Sequence, residues 1–244
     1  MKLMAIPVLV AVLVLTFLLS SCITIKVDSV KGSGNIITQS FEVGDFERLD
    51  FSGIGRIELT QGDSTSLEVE AEENIINALK IETTGNKLNI GIKRGYFNII
   101  PTKDIIFRLT VMDLDKIDLT GAGALVCDSF ATEKLSIDSS GLGSIDMDMA
   151  AEDLEVSISG AGKVSIAGKV DTQKISISGV GSYSSKDLIS RVCEIDISGA
   201  GKAAVNVTET LDITMSGVGN VEYIGNPSIS QNISGVGGTI KSTD

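Results

Sequence analysis

The sequence predicts an all-β solenoid built from stacked coils of about nineteen residues. Three observations carry this: a Ser/Thr-Gly-x-Gly tetrapeptide recurs seven times between Thr120 and Gly237, aliphatic residues alternate with polar ones on both sides of it, and the 43% of apolar residues includes only 4% aromatics and no Trp. A coil of this length cannot bury its apolar face without its neighbours, so a fixed period near nineteen reads as a stack. The core is then a set of Ile, Val, Leu and Ala ladders rather than a bulky globular interior.

The copies are Thr120-Gly121-Ala122-Gly123, Ser140-Gly141-Leu142-Gly143, Ser159-Gly160-Ala161-Gly162, Ser178-Gly179-Val180-Gly181, Ser198-Gly199-Ala200-Gly201, Ser216-Gly217-Val218-Gly219 and Ser234-Gly235-Val236-Gly237. Their leading glycines stand 20, 19, 19, 20, 18 and 18 residues apart. Before each copy the inward positions are pairs such as Ile117/Leu119, Val156/Ile158 and Ile195/Ile197; after it they are Leu125/Cys127, Ile145/Met147 and Val164/Ile166. That period of two makes each coil two strands, each burying one face, joined at a glycine corner. A corner selects glycine either because φ is positive there or because the turn leaves no room for a Cβ. Stacked corners align the preceding hydroxyls in a ladder, where each can donate to a neighbour or to turn backbone. No activating base accompanies these serines, so they read as structural and not catalytic.

Upstream, residues 36–112 keep strand patterning without the strict beat. Strand candidates are Arg48–Phe51, Ile57–Leu59, Leu67–Val69, Lys80–Ile81, Leu88–Ile92 and Ile105–Met112, with Ser52-Gly53-Ile54-Gly55 as an eighth corner and one short helical turn within Ala71–Leu79. This region reads as wider, irregular coils capping the N-terminal end of the regular coils at 113–244; a separate small β domain is the alternative. At the other end, Thr239 and Lys241 are expected to be the last inward positions. There the polar residues would partly blunt unpaired strand edges that invite self-association.

The first residues form a different device. Lys2 precedes an apolar run from Ile6 to Leu19, closed by Leu19-Ser20-Ser21-Cys22. A run this short that ends in small residues is an export signal rather than a spanning helix. Its ending resembles the bacterial lipobox, which implies a signal peptide over 1–21, cleavage before Cys22 and lipidation of Cys22. Several acyl chains on one residue suffice for stable anchoring, since each buried CH₂ contributes about 0.8 kcal/mol. Residues 22–35 then read as a flexible tether.

The remaining cysteines, Cys127 and Cys193, are 66 residues apart in sequence. That is about three and a half coils, or roughly 16 Å along the stack at about 4.8 Å per strand, too far for a disulfide. The chain carries a net charge of −12, or −13 once the leader and its one lysine are removed. So acidic a body repels nucleic acid and anionic headgroups.

The absence of histidine excludes a Ser-His-Asp triad, a Cys-His pair and His-based metal sites. No glycine pair extends to a dinucleotide or phosphate-loop fingerprint, and no aspartate recurs in step as calcium-binding coils require, so no cofactor or metal is expected. One enzymatic alternative stands on Asp138, Asp146 and Asp148, because paired carboxylates projecting from a strand face are the minimum for glycoside hydrolysis. Every i, i+2 acidic pair on a strand has that spacing, so a solvated surface is the competing reading.

The run Phe46-x-x-Leu49-x-Phe51-x-Gly53-x-Gly55-x-Ile57-x-Leu59-x-Gln61-Gly62, followed by Leu-x-Ile-x-x-Ser-Gly-x-Gly coils and preceded by a lipoprotein signal, resembles the head GIN domain family of auto-transporter adhesins, common in Bacteroidetes. The resemblance covers about residues 36–240. It implies a right-handed parallel β-helix, a cell-envelope location and a role in adhesion, with no catalytic residues to carry over. In such bacteria Asp28-Ser29-Val30 matches an O-glycosylation pattern at Ser29, against the plainer reading as linker, and Ile23–Asp28 lacks the acidic run of surface-exported lipoproteins. Together these readings predict an outer-membrane lipoprotein, its lipid in the membrane and its β-helix head a non-enzymatic binding module for a glycan or envelope protein. The alternatives are a polysaccharide-active enzyme or calcium-dependent lectin, and a structural envelope component without ligand.

Overall fold

The computed structural model describes residues 29–96, 98–235 and 238–243; the leader, Cys22, Val236 and Gly237 lie outside them. It is a β-solenoid of about 7 turns. The N-terminal strands are β1 (Ser29–Lys31), β2 (Ile36–Phe41), β3 (Arg48–Phe51), β4 (Ile54–Gln61), β5 (Ser66–Glu72), β6 (Leu79–Thr84), β7 (Lys87–Ile92), β8 (Asn98–Ile100) and β9 (Ile106–Val111). A single helical turn, α1 (Glu73–Ile76), follows β5 within the segment expected to hold one. The regular coils are β10 (Lys116–Leu119), β11 (Ala122–Ala131), β12 (Lys134–Ser139), β13 (Ser144–Ile158), β14 (Lys163–Ile177), β15 (Ser182–Ile197), β16 (Ala200–Met215), β17 (Val218–Ile224), β18 (Ser228–Ile233) and β19 (Thr239–Ser242).

Each coil is a strand that bends once. The first half of β13 pairs in parallel with β11 and its second half with β12, and β14 repeats both pairings on β13. Two sheets result. Sheet I contains β4, β11, the first halves of β13 to β16, β17 and β19; sheet II contains β3, β10, β12, the second halves of β13 to β16, and β18. In-register stacking places Val126, Asp146 and Ser165 in one outward row, and Ile137, Val156 and Ile175 in one inward row. The inward side chains of both sheets form one continuous core from Phe46 to Val221.

The corners select glycine for closeness rather than for φ. At each first glycine from Gly121 to Gly235 a Cβ would stand 1.9–2.2 Å from the carbonyl oxygen of the first glycine one coil earlier. That oxygen accepts the amide of the next coil's x residue, as in Leu142 N–H to Gly121 O at 3.2 Å and Val180 N–H to Gly160 O at 3.0 Å. The corners therefore stack backbone on backbone, leaving no gap for a side chain. The second glycines meet the core: a Cβ on Gly181 would stand 2.3 Å from Ile158 Cγ2. Gly55, in the first corner, has a left-handed φ of 127°. The corner hydroxyls differ from the expected ladder. Ser52 and Thr120 donate to the carbonyls of Ile90 and Phe51, whereas those from Ser140 to Ser216 are exposed and find no partner among the described residues. The x side chains flank them as an uncharged ridge, with Leu142, Val180 and Val218 strongly exposed.

Segment 36–112 shares this core. Strands β3 and β4 form the first coil around Ser52–Gly55, and β7 and β9 extend the two sheets in parallel. Beyond them the architecture departs from the expected wider coils. Strand β6 lies antiparallel on β7, β5 antiparallel on β9 and β2 antiparallel on β5, with Ile75 and Ile76 of α1 buried beside them. Antiparallel pairs can be joined by tight turns, so they close the end in fewer residues than a further coil needs.

The segment expected to be a tether is fixed from Ser29 onward. Strand β1 pairs with β8, Asn74 donates to Lys31 O at 2.7 Å and accepts the Ser33 amide, and Glu72 accepts the Gly34 amide at 2.6 Å. Glu72 also accepts the amide and hydroxyl of Thr102, and its buried carboxyl is held below the usual range, first by that hydroxyl. At the other end the register corrects another expectation: Ile240 pairs with buried Val221 and points inward, while Thr239 and Lys241 sit opposite Asn220 and Glu222 in outward rows.

Candidate binding face

The three aspartates proposed from the sequence do not converge. Asp146 and Asp148 lie in the first half of β13, on sheet I, and Asp138 lies in β12, on sheet II. The glycine corner between them reverses the chain, so carboxylates a few residues apart emerge from opposite sides of the molecule. Asp138 belongs to an ion cluster, with Lys116 Nζ at 2.7 Å and Asp118 on the same lysine at 3.3 Å. The hydrogen bond to Asp138 raises the Lys116 pKa, and burial raises that of Asp118 against the pull of Lys116. A three-carboxylate glycosidase or lectin site is therefore not formed.

Asp146 and Asp148 instead join residues that the sequence reading passed over. They line a shallow, open groove on sheet I with Arg56, Val126, Asp128 and Ala167, continuous with a depression bounded by Thr60, Gln61, Asp63 and Met112. A bulge between Cys127 and Phe130 places Asp128 where these depressions meet. Its signal in the sequence is a broken alternation: after inward Cys127 the next buried residue is Phe130 and not residue 129. At the N-terminal rim Arg56 and Arg108 pair with Glu58, and Arg108 with Glu70 at 3.0 Å. Asp128, Asp146 and Asp148 have no ion pair among the described residues.

Gln61 fixes the outer end of the groove. Its amide nitrogen donates to Met112 O at 3.0 Å and Ala131 O at 2.9 Å, and its oxygen accepts the Ala131 amide at 2.8 Å. One side chain thus fastens β4 to the bends of two neighbouring coils. Among the described residues no group of three His, Cys, Asp or Glu side chains could hold a metal ion. Cys127 and Cys193 are free and buried, on sheet I and sheet II respectively, and burial raises both thiol pKa values. Neither is a poised nucleophile. Ser29 is exposed at the start of β1, in a strand rather than a linker.

A stacked, two-sheet solenoid with an open polar groove on one flat face defines a class of extended-surface proteins. The chain belongs to the family described as putative auto-transporter adhesin, head GIN domain, whose model matches residues 45–227. Among solved structures it is similar to a putative adhesin from Bacteroides fragilis NCTC 9343, with 27% identity, a TM-score of 0.83, and coverage of 88% of this chain and 100% of that one. A putative adhesin from Parabacteroides merdae ATCC 43184 (22% identity, TM-score 0.68, 89% and 100% covered) shares the fold. So does a putative lipid binding protein from Parabacteroides distasonis ATCC 8503 (24% identity, TM-score 0.69, 88% and 100% covered). Among curated proteins none matches the chain.

Proposed function

We propose that this chain is the head of a lipid-anchored envelope protein that binds a glycan through the groove on sheet I and performs no chemistry on it. The observation that carries the reading is the grouping of Asp128, Asp146 and Asp148, all without ion pairs among the described residues, around Val126 and Ala167 beside Arg56. Free carboxylates and a guanidinium on an open, rigid sheet offer acceptors and donors at fixed spacing, which suits a chain of hydroxyl groups. The same carboxylates could take lysines of an envelope protein, and that is the alternative ligand. Membership in an adhesin-type family supports a binding role in the envelope, and Leu19-Ser20-Ser21-Cys22 supports attachment through Cys22. A periplasm-facing outer-membrane position remains the preferred placement.

Two measurements separate the parts of this reading. Cys22→Ser should release the protein from the membrane fraction and abolish incorporation of labelled palmitate; unchanged fractionation contradicts the anchor. Beads coated with the head should adhere to envelope-bearing cells, and Asp128→Asn/Asp146→Asn should reduce adhesion by about tenfold or more, since each lost charged hydrogen bond is worth about 1.5–3 kcal/mol. Adhesion that survives the double variant contradicts the groove as the binding face.

A further inference from the structure

The two ends of the solenoid are finished differently. At the N-terminal end antiparallel strands β2, β5 and β6 lie over the stack. At the other end, among the described residues, β18 pairs with β16 alone and β19 with β17 alone, so each presents a free edge. Between those edges the inward rows continue outward. Ile229 and Ile233 stack on Leu211 and Met215, and Ile240 stacks on Val221. Their supports are fully buried, yet Ile229 and Ile233 are 40% and 41% exposed.

This end is also the neutral part of an acidic molecule. Residues 226–244 carry two charged side chains, Lys241 and Asp244, which cancel, although charged residues make up 21% of the chain and its net charge is −12. Two copies repel one another over most of their surface, and here they do not. The fold closes its opposite end by laying antiparallel strands on a parallel stack. A two-fold axis perpendicular to the solenoid supplies that pairing on both sheets at once, each edge meeting its own equivalent. Head-to-tail stacking would instead set these edges against β2 and β6, which among the described residues pair only with β5 and β7, and it would not stop at two chains.

We propose that a second copy of this chain covers the open end, the two meeting tail to tail with β18 antiparallel to the partner's β18 and β19 antiparallel to the partner's β19. The contact buries Ile229, Ile233 and Ile240 and is self-limiting at two chains. Incoming segments at β1 then lie at opposite ends of the pair. Joined to the anchoring proposed above, on which this consequence alone rests, the dimer bridges two facing membranes.

The test is sedimentation equilibrium on the chain from Ser29 onward, which contains the whole sheet and core, together with amide exchange, from about 10 to 500 µM, the range suited to a small interface. The mass should rise from one chain to two and stop, with amides of 228–233 and 239–242 protected more at high concentration. Gln231→Glu and Ile233→Glu place like charges across the two-fold and should each weaken dimerisation by about tenfold or more. Both positions are exposed, and unchanged melting temperatures will confirm the fold; Gln231→Glu, nearly isosteric, keeps the test valid if Ile233→Glu unfolds. A monomer throughout, growth beyond two chains, a dimer indifferent to both variants, or protection independent of concentration would each overturn the proposal.

Discussion

At the scale of single residues, the corner glycines are the strictest requirement in the chain. Gly160→Ala drives a Cβ to within 2.1 Å of Gly141 O, a backbone atom that has to move with its whole coil. Urea unfolding should show a loss of about 1–3 kcal/mol, in the range of overpacking. Leu142→Ala, one coil away on the exposed ridge, should stay within about 0.5 kcal/mol of the parent; comparable losses at both sites would contradict the stacked-corner account. Glu72 is the corresponding key for the incoming segment. Its pKa is lowered in the folded state, so its stabilisation is complete above the usual carboxylate range and is lost as pH falls through the lowered value. The protection factors of the Gly34 and Thr102 amides, corrected for the intrinsic pH dependence of exchange, should therefore fall on acidification, and Glu72→Gln should show lower protection than the parent at neutral pH. An unchanged Gly34 in that variant would rule out the latch.

At the scale of elements, the buried polar group in β14 and β15 shows how far the sequence could be read. Inward positions were expected to be aliphatic, but Gln173, Tyr183, Ser185 and Ser190 are all buried. Tyr183 Oη donates to Gln173 Oε1 at 2.9 Å, Gln173 Nε2 donates to Ser190 Oγ at 2.7 Å, and the Ser185 and Ser190 hydroxyls donate to Ala204 O and Asn206 O. Gln173→Met would strand the tyrosine hydroxyl in the core and cost about 1–3 kcal/mol; thermal unfolding of Gln173→Met beside Tyr183→Phe/Gln173→Met measures it. The double variant should recover part of the loss, because no buried donor is then orphaned. Strand identity and inward alternation were legible because a period of two needs only neighbouring residues. The pairing of Gln61 with the bends at Met112 and Ala131 was not, since it joins residues 51 and 70 apart. Asp138 was misplaced for a related reason: sequence distance across a glycine corner says nothing about which sheet a side chain leaves.

At the scale of the whole molecule, the parallel block from β4 to β19 in sheet I is about 34 Å long, seven steps of about 4.8 Å between eight strands, and β9, β5 and β2 lengthen it at the N-terminal end. It is latched at one end to the segment that leads back to Cys22, and at the other, among the described residues, β19 pairs with β17 alone. The repeat beat made the stack and its common core legible from the sequence. The antiparallel closure was not, because those strands have the same alternation as parallel ones and only their partners differ. Binding by such a block depends on what its faces display, and sheet I displays the groove. The most direct measurement is capture of the head on a broad array of glycans, with and without calcium, with mass spectrometry of the captured chains. The account predicts calcium-independent capture of intact glycans that is lost in Asp128→Asn/Asp146→Asn and retained in Asp138→Asn. Cleaved chains, or capture that depends on Asp138 instead, would contradict it.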